Sequence, residues 1–471
     1  MLSTTSGRTL RFFGSSSVFV LTVQLATQVF DDAALFKPPD PFPPFSVVEK
    51  GINDPSSMVV TRVSRPSKEM LSTLIAHYVS TMNTLYPFID ESLIPSDLGT
   101  YLSDQQHEPA MKGRLFGKSA YQFFRIAMMC AVACANKSRH KPHLVAVDDD
   151  FYAKGLKYVE AVTSEVSGES LQALLLLILY CLFHPRKGDI WKLLDYACRL
   201  SVELGYHTEL PLDQESSRDI ALRRSTFWSL YTIERIVGQI FGRPSDLPEQ
   251  IITTDYPGIL AAGSPTDQAS VQVFSAAHHY RLVYLRSEIY REIYLPTNPP
   301  HHDLEWRWDF DMQRGVSFHD RLSIPASPLA SFVSIFGPTR CAAHGFRKLS
   351  LCLPTHSDLS EHNQGSRRHG AGIYPMTIMS AHYIYLAGMT IMAYAQLSIE
   401  GRVQILSPLT QGSLERITQA IDYSDIWKIS SACLALLTWC TTTWEGMRGM
   451  QDMYRKMSEK LLPELARRGM A

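Results

Sequence analysis

Glu234 and Arg235 stand side by side within the run FWSLYTIERIVGQIFGRP, Phe227 to Pro244. A carboxylate and a guanidinium set among aromatic residues can line a cleft that recognises a charged ligand, or they can pair and hold helices in register. Arg199, Arg223 and Arg224 interrupt or border neighbouring apolar stripes, and each guanidinium so placed must find an acceptor or reach solvent, while Arg243 is the residue that would line an effector cleft with Glu234. Arg199, Arg224, Glu234, Arg235 and Arg243 therefore form the candidate set, read either as an effector cleft or as a structural ion-pair network. The structural version pairs Glu234 with Arg199. It also places Phe227, Tyr231 and Glu234, spaced four and three apart, on one helix face with the aromatics against the helix that bears Trp191.

Other chemistry finds little support. The eight cysteines include no C-x-x-C, and Cys130 and Cys134 fall four apart on an apolar run, the pattern of two buried thiols. The cysteine usage predicts a reduced, intracellular chain. His278-His279 and His301-His302 are adjacent pairs, whose side chains diverge on a helix and which no Cys or carboxylate completes into a tetrahedron. Phosphate-cradling glycine loops, H-E-x-x-H and G-x-S-x-G do not occur. Asp148, Asp149 and Asp150 precede FYAKGLKYVEAV and read as the cap and first turn of a helix starting there. An all-α isoprenoid enzyme, the enzyme alternative, needs paired aspartates to hold magnesium on a diphosphate. Tyr152 stands where the further carboxylate should be, and Asn53-Asp54 has no better spacing. The expectation is a non-enzyme with no catalytic residue, no metal site and no cofactor of its own.

Charge and hydropathy exclude further classes. Lys+Arg 45 against Asp+Glu 46 gives a formal charge of -1, so no global basic field draws the chain to nucleic acid or an anionic membrane. Leu171 to Phe183 is intensely apolar but far shorter than the roughly 20 residues a bilayer core requires. The N-terminal run after Arg8 and Arg11 has the outline of a leader, yet Thr22 and Gln24 break it and no small-x-small cleavage site follows.

The elements that must position these residues are helical. Residues 1–67 read as an irregular segment or linker, rich in Pro and Ser from residue 32 onward. Residues 68–295 carry apolar positions at three and four, beginning with Met70, Leu71, Leu74, Ile75 and Tyr78. Within them, Glu169 to Phe183 and a stripe from Ile190 to Leu204 form an antiparallel hairpin about the turn His184 to Gly188, with Asp189 as a cap and Gly205 as the left-handed stop. Ser216 to Phe241 is a third long helix that Gly242 ends and Pro244 cannot continue. Residues 296–372 lose periodicity and read as an irregular linker or insertion. Residues 373–471 regain it, as C-terminal helices packing on the regulatory region. The predicted class is all-α, a multi-helix bundle of antiparallel helical hairpins with irregular N-terminal and central segments.

WKLLDYACRLSVELGYH (Trp191 to His207), RRSTFWSLYTIERIVGQIFGRP (Arg223 to Pro244) and DLPEQIITTDYP together resemble the fungal-specific transcription factor domain, the middle homology region of fungal zinc-cluster regulators. Trp191, Gly205, Phe227, Trp228, Tyr231, Gly242 and Pro244 match its motif as structural residues, and RFFGSSSVFVLTVQ is similar to a segment that precedes the helices in some members. Asp195 departs from the pattern where a small residue is usual, so the helix contact there should be looser or salt-bridged.

The resemblance implies a transcription regulator acting in the nucleus. Its helical domain would sense an effector and control a DNA-binding head. Members bind DNA through six clustered cysteines holding two zinc ions, and no cysteine precedes Cys130 here. Zinc is therefore expected only with an upstream zinc-cluster module, and DNA contact only through such a missing or recruited module. Transcription machinery proteins, a small-molecule effector and a second copy in a homodimer are the other implied partners, and a membrane is not. The alternative reading is a zinc-cluster-less module that binds proteins or small molecules.

Overall fold

The computed structural model describes residues 2–6, 9–13, 17–20, 22, 66–106, 115–138, 143–209, 216–257, parts of 276–288, 375–400 and 423–469. The irregular segment expected at 296–372 and both His301-His302 and Asn53-Asp54 lie outside these residues. The architecture is all-α apart from one hairpin, in which β1 (Leu2–Ser6) pairs antiparallel with β2 (Thr9–Phe13), Leu2 opposite Phe13. That hairpin falls in the stretch read as irregular. The threonines and aromatic residues on either side of Gly7 favour extended pairing over coil.

Helix α1 (Lys68–Tyr78) starts where Ser67 Oγ accepts from Met70 N at 3.1 Å, and it runs into a π turn at Val79–Asn83 before Pro87. Then come α2 (Ile94–Gln106), α3 (Gly117–Ser138), α4 (Leu144–Leu156) and the short α5 (Val159–Thr163). Helix α4 corrects the expectation for the aspartates, because it begins at Leu144 and encloses all three. Leu144, Val147 and Phe151 extend the buried stripe upstream, so apolar burial rather than the acidic triplet sets the start. Asp148 is buried and accepts from His184 Nε2 at 2.6 Å, while Asp149 and Asp150 pair with Lys187 and Lys154. Burial pushes the Asp148 carboxyl above the ordinary range, with His184 the main opposing influence.

The hairpin of α6 (Gly168–Phe183) and α7 (Ile190–Glu203) matches its sequence pattern. Ser167 caps α6, Asp189 Oδ1 caps α7 by accepting from Trp191 N at 3.1 Å, and Gly205 closes it at φ +69°. Helix α6 is buried on every side from Ser170 to Phe183, the signature of a core helix rather than a surface one. No helix among the described residues is long and apolar enough to cross a membrane.

Helix α8 (Ser217–Phe241) is capped by Ser216, whose Oγ accepts from Asp219 N at 3.2 Å. The C-terminal part holds α9 (Ile378–Ile399), α10 (Tyr423–Thr443) and α11 (Arg448–Gly469), the last two divided by a 3-10 turn at Glu445–Met447. Helix α3 packs on α1, α2, α4, α5 and α6, while α6 also meets α7, α8 and α9. Helix α9 joins α10 and α11 to α6 and α8. Gly388 permits the close approach of α11, since a Cβ there would fall 2.7 Å from the Tyr454 ring. Val18 and Phe19 belong to the same core, with the Phe19 ring 5.5 Å from His382 and 6.1 Å from Phe241.

Candidate functional site

The second half of α8 carries Glu234 and Arg235 on buried faces. It ends at Gly242, whose φ of +65° puts it in the left-handed region that glycine alone adopts without penalty. Arg243 N then donates back to Gly238 O at 2.9 Å. This cap turns the chain so that residues 245–256 run back along α8, where its polar side chains wait for backbone partners.

Arg235 is the centre of that return. Its Nη2 donates to Leu247 O at 2.5 Å and to Glu249 Oε1 at 2.9 Å, its Nε reaches the same Glu249 oxygen at 3.2 Å, and its Nη1 donates to Ser245 Oγ and to Glu234 Oε2. Glu234 and Arg235 side chains are each only 5% exposed, so neither is offered to solvent. The other Glu234 oxygen accepts from Asp246 N at 3.0 Å. Tyr231 donates to Glu249 Oε1 at 2.7 Å, and its ring lies 4.3 Å beneath the Arg235 guanidinium. Burial pushes the Glu234 carboxyl above the ordinary carboxylate range, opposed chiefly by Arg235. Burial alone would lower the Arg235 pKa, but Glu234, Tyr231 and Glu249 together raise it, so the guanidinium stays charged.

A second cluster fastens the far end of the same segment. Arg224 binds Glu209 through Nε and Nη2, and Glu209 Oε2 accepts from Asp255 N at 3.1 Å. Trp228 Nε1 donates to Asp255 O at 2.9 Å, and its ring stacks on Tyr256 with centroids 4.2 Å apart. Arg223 donates to Gly205 O at 2.5 Å and Thr208 O at 3.1 Å, binding the end of α7 to α8.

One sequence expectation is corrected here. Arg199 is not the partner of Glu234: its side chain is 76% exposed and bonds Asp195 one turn back at 3.0 Å. The adjacent Arg235 reaches Glu234 because both heads fold toward the 245–249 backbone, whereas Arg199 lies on the outer face of an amphipathic helix. Asp195 is salt-bridged within its own helix rather than across a helix contact. Trp191 itself meets another ring of α8. That ring is Phe241, edge-on at 5.1 Å, with Arg243 stacked 4.1 Å over Trp191. Phe227 and Tyr231 flank Trp228, at 5.6 and 5.0 Å. Of the candidate set, Glu234 and Arg235 share one knot, Arg224 belongs to the second cluster, Arg243 to Trp191, and Arg199 stands apart.

Sequence reasoning missed Glu209 and Glu249, the two carboxylates that complete these clusters. A signal existed, since each is a carboxylate in a turn beside a helix rich in arginine, but a turn gives no period from which to read where a side chain aims.

Residues 75–308 match the family model of the fungal specific transcription factor domain. Pyrimidine pathway regulatory protein 1 of Saccharomyces cerevisiae is 29% identical over 160 residues, 30% of this chain and 17% of that protein. Protein STB5 of the same yeast is 27% identical over 204 residues, 41% of this chain and 26% of that protein. The positive regulator of purine utilization of Emericella nidulans is 27% identical over 187 residues, 30% and 18% of the two chains. The chain thus spans about a quarter or less of the length of these relatives. No solved structure matches it.

Proposed function

We propose that this chain, whose residues 75–308 are a fungal specific transcription factor domain, is the regulatory part of a nuclear transcription regulator. The observation that carries the reading is the match itself, together with relatives whose names describe regulators. The chain acts on DNA through a zinc-cluster module, attached or recruited, and holds no zinc of its own. It is not an enzyme. Transcription machinery proteins and a small-molecule effector are its partners.

The Glu234–Arg235–Glu249 knot supports a structural role for those residues rather than an effector cleft. Apart from Glu249 Oε2, which makes no hydrogen bond, the polar atoms of the knot are spent on the 245–249 segment or on a neighbour within the knot, which leaves little with which to read a ligand. An effector acts by changing how firmly that segment lies on α8.

Tethering the full chain to an unrelated DNA-binding module upstream of a reporter tests this. Transcription from the reporter should change several-fold relative to the module alone. A folded, nuclear fusion that leaves the reporter untouched counts against the regulatory reading. So does nanomolar, sequence-selective binding of duplex DNA by the untethered chain at physiological salt, because dispersed basic residues should give only weak, salt-sensitive binding.

A further inference from the structure

Helix α7 turns one face to the core and leaves the other bare. Ile190, Leu194, Ala197, Cys198, Leu200 and Ser201 are buried. The outer stripe reads Lys192, Asp195, Tyr196, Arg199, Val202 and Glu203, with Tyr196 44% and Val202 37% exposed. Its charges alternate along the helix as plus, minus, plus, minus. Asp195 and Arg199 bond one another, whereas among the described residues Lys192 and Glu203, at the two ends, have no ionic side-chain partner.

The order of these charges has a symmetry. The midpoint between Lys192 and Glu203 falls between Ala197 and Cys198, and that between Asp195 and Arg199 at Ala197, half a residue away and within the reach of these long side chains. If a second α7 is laid antiparallel across that point, Lys192 meets Glu203 of the second copy and Asp195 meets its Arg199, each pair occurring twice. A parallel arrangement in the same register would set like charge on like. A two-fold axis requires the same patch on both copies to be self-complementary, and this stripe satisfies that requirement in one orientation only.

We propose that the outer face of α7 is a homodimer surface on which the α7 helices of two copies pack antiparallel about a two-fold axis at Ala197–Cys198. The occupant is a second copy of this chain, fixed by charge complementarity, with Tyr196 and Val202 as the apolar contacts between the ionic pairs. The Asp195–Arg199 bond within each copy is exposed and contributes little, so exchanging it for contacts across the axis costs little. The Tyr196 hydroxyl already donates to Thr163 O at 3.0 Å, which fixes its ring at the surface before association. Asp246 lies close to both Asp195 and Arg199 and adds negative charge where Arg199 of the second copy arrives. This inference does not depend on the regulatory reading above.

Charge reversal with mixing is the test, by sedimentation of the full chain over a range of concentrations. Wild type should dimerise reversibly. Asp195→Arg and Arg199→Asp, each alone, oppose like charges across the axis and should weaken self-association roughly 100-fold. Mixed in equal amounts, the two variants recreate both ionic pairs and should dimerise with near wild-type affinity. Loss of the bond within one helix gives no such rescue, since mixing cannot restore it. Lys192→Glu and Glu203→Lys form an independent second pair, to be used if either first variant lacks the wild-type circular dichroism. Monomeric wild type, an unaltered dimer in the reversed variants, or failure of mixing to restore association would each overturn the proposal.

Discussion

Two buried arginine–carboxylate pairs in this molecule are built in opposite ways. Arg125 on α3 reaches Asp97 on α2 by a single Nε bond of 2.8 Å, and Asp97 Oδ1 makes no hydrogen bond at all. Arg235 distributes its donors over Glu234, Ser245, Leu247 O and Glu249, while Glu234 also receives Asp246 N. Both carboxylates are pushed above their ordinary pKa by burial, with the arginine opposing the shift. The first pair joins two helices at one point. The second converts a stretch without regular structure into part of the core, because backbone carbonyl and N–H groups of residues 246 and 247 are satisfied by side chains. Redundancy of partners, rather than burial alone, distinguishes them.

That difference can be broken by mutation in graded steps. Arg235→Ala leaves Glu234 and Glu249 without their cation and should cost about 4 kcal/mol, read as a lower denaturant midpoint or as loss of soluble protein. Asp97→Ala strands Arg125, which has no second carboxylate among the described residues, and should cost about 3 kcal/mol by the same measurement. Glu234→Ala should cost less, about 2 kcal/mol, since Arg235 keeps Glu249. If Glu234→Ala proves as damaging as Asp97→Ala, the redundancy has no energetic meaning.

The smallest effect sharpens the comparison through pH. Burial alone would raise the Glu209 pKa, but its bond to Arg224 and the Asp255 N–H hold it below 4.5. A folded value below the unfolded one means that its contribution is complete above pH 4.5 and disappears as pH falls through the folded value. Glu209→Gln should therefore lower stability by about 0.5 kcal/mol at neutral pH, a figure reduced for solvent screening. In acid strong enough to protonate the wild-type carboxyl, the two proteins should unfold alike.

Much of the framework was legible in the sequence because helix punctuation is local. Ser167, Asp189, Gly205, Ser216 and Gly242 sit where the periodicity starts or stops, and each caps or ends the expected helix. The start of α4 was misread because an acidic triplet imitates a cap, while the buried stripe that decides the matter begins four residues earlier. Within the site, the importance of Glu234 and Arg235 showed in their setting among aromatics. Their partners did not. Arg199 was a reasonable choice by charge, but α7 turns it outward, and only the path of the chain after Gly242 reveals that Glu249 arrives instead. The Asp97–Arg125 pair left no trace, since nothing local links residues on separate helices.

The burial of α6 on all sides has a consequence for synthesis. Part of its cover comes from α9, about 200 residues later in the chain, and Trp444 Nε1 donates to Phe183 O at its very end. At roughly 5–20 residues per second, a ribosome needs about 10–40 s to deliver α9 once α6 has emerged. For that interval a sixteen-residue helix, Gly168–Phe183, with apolar side chains on every face waits incompletely covered, the kind of transiently exposed surface that makes a folding chain prone to aggregate.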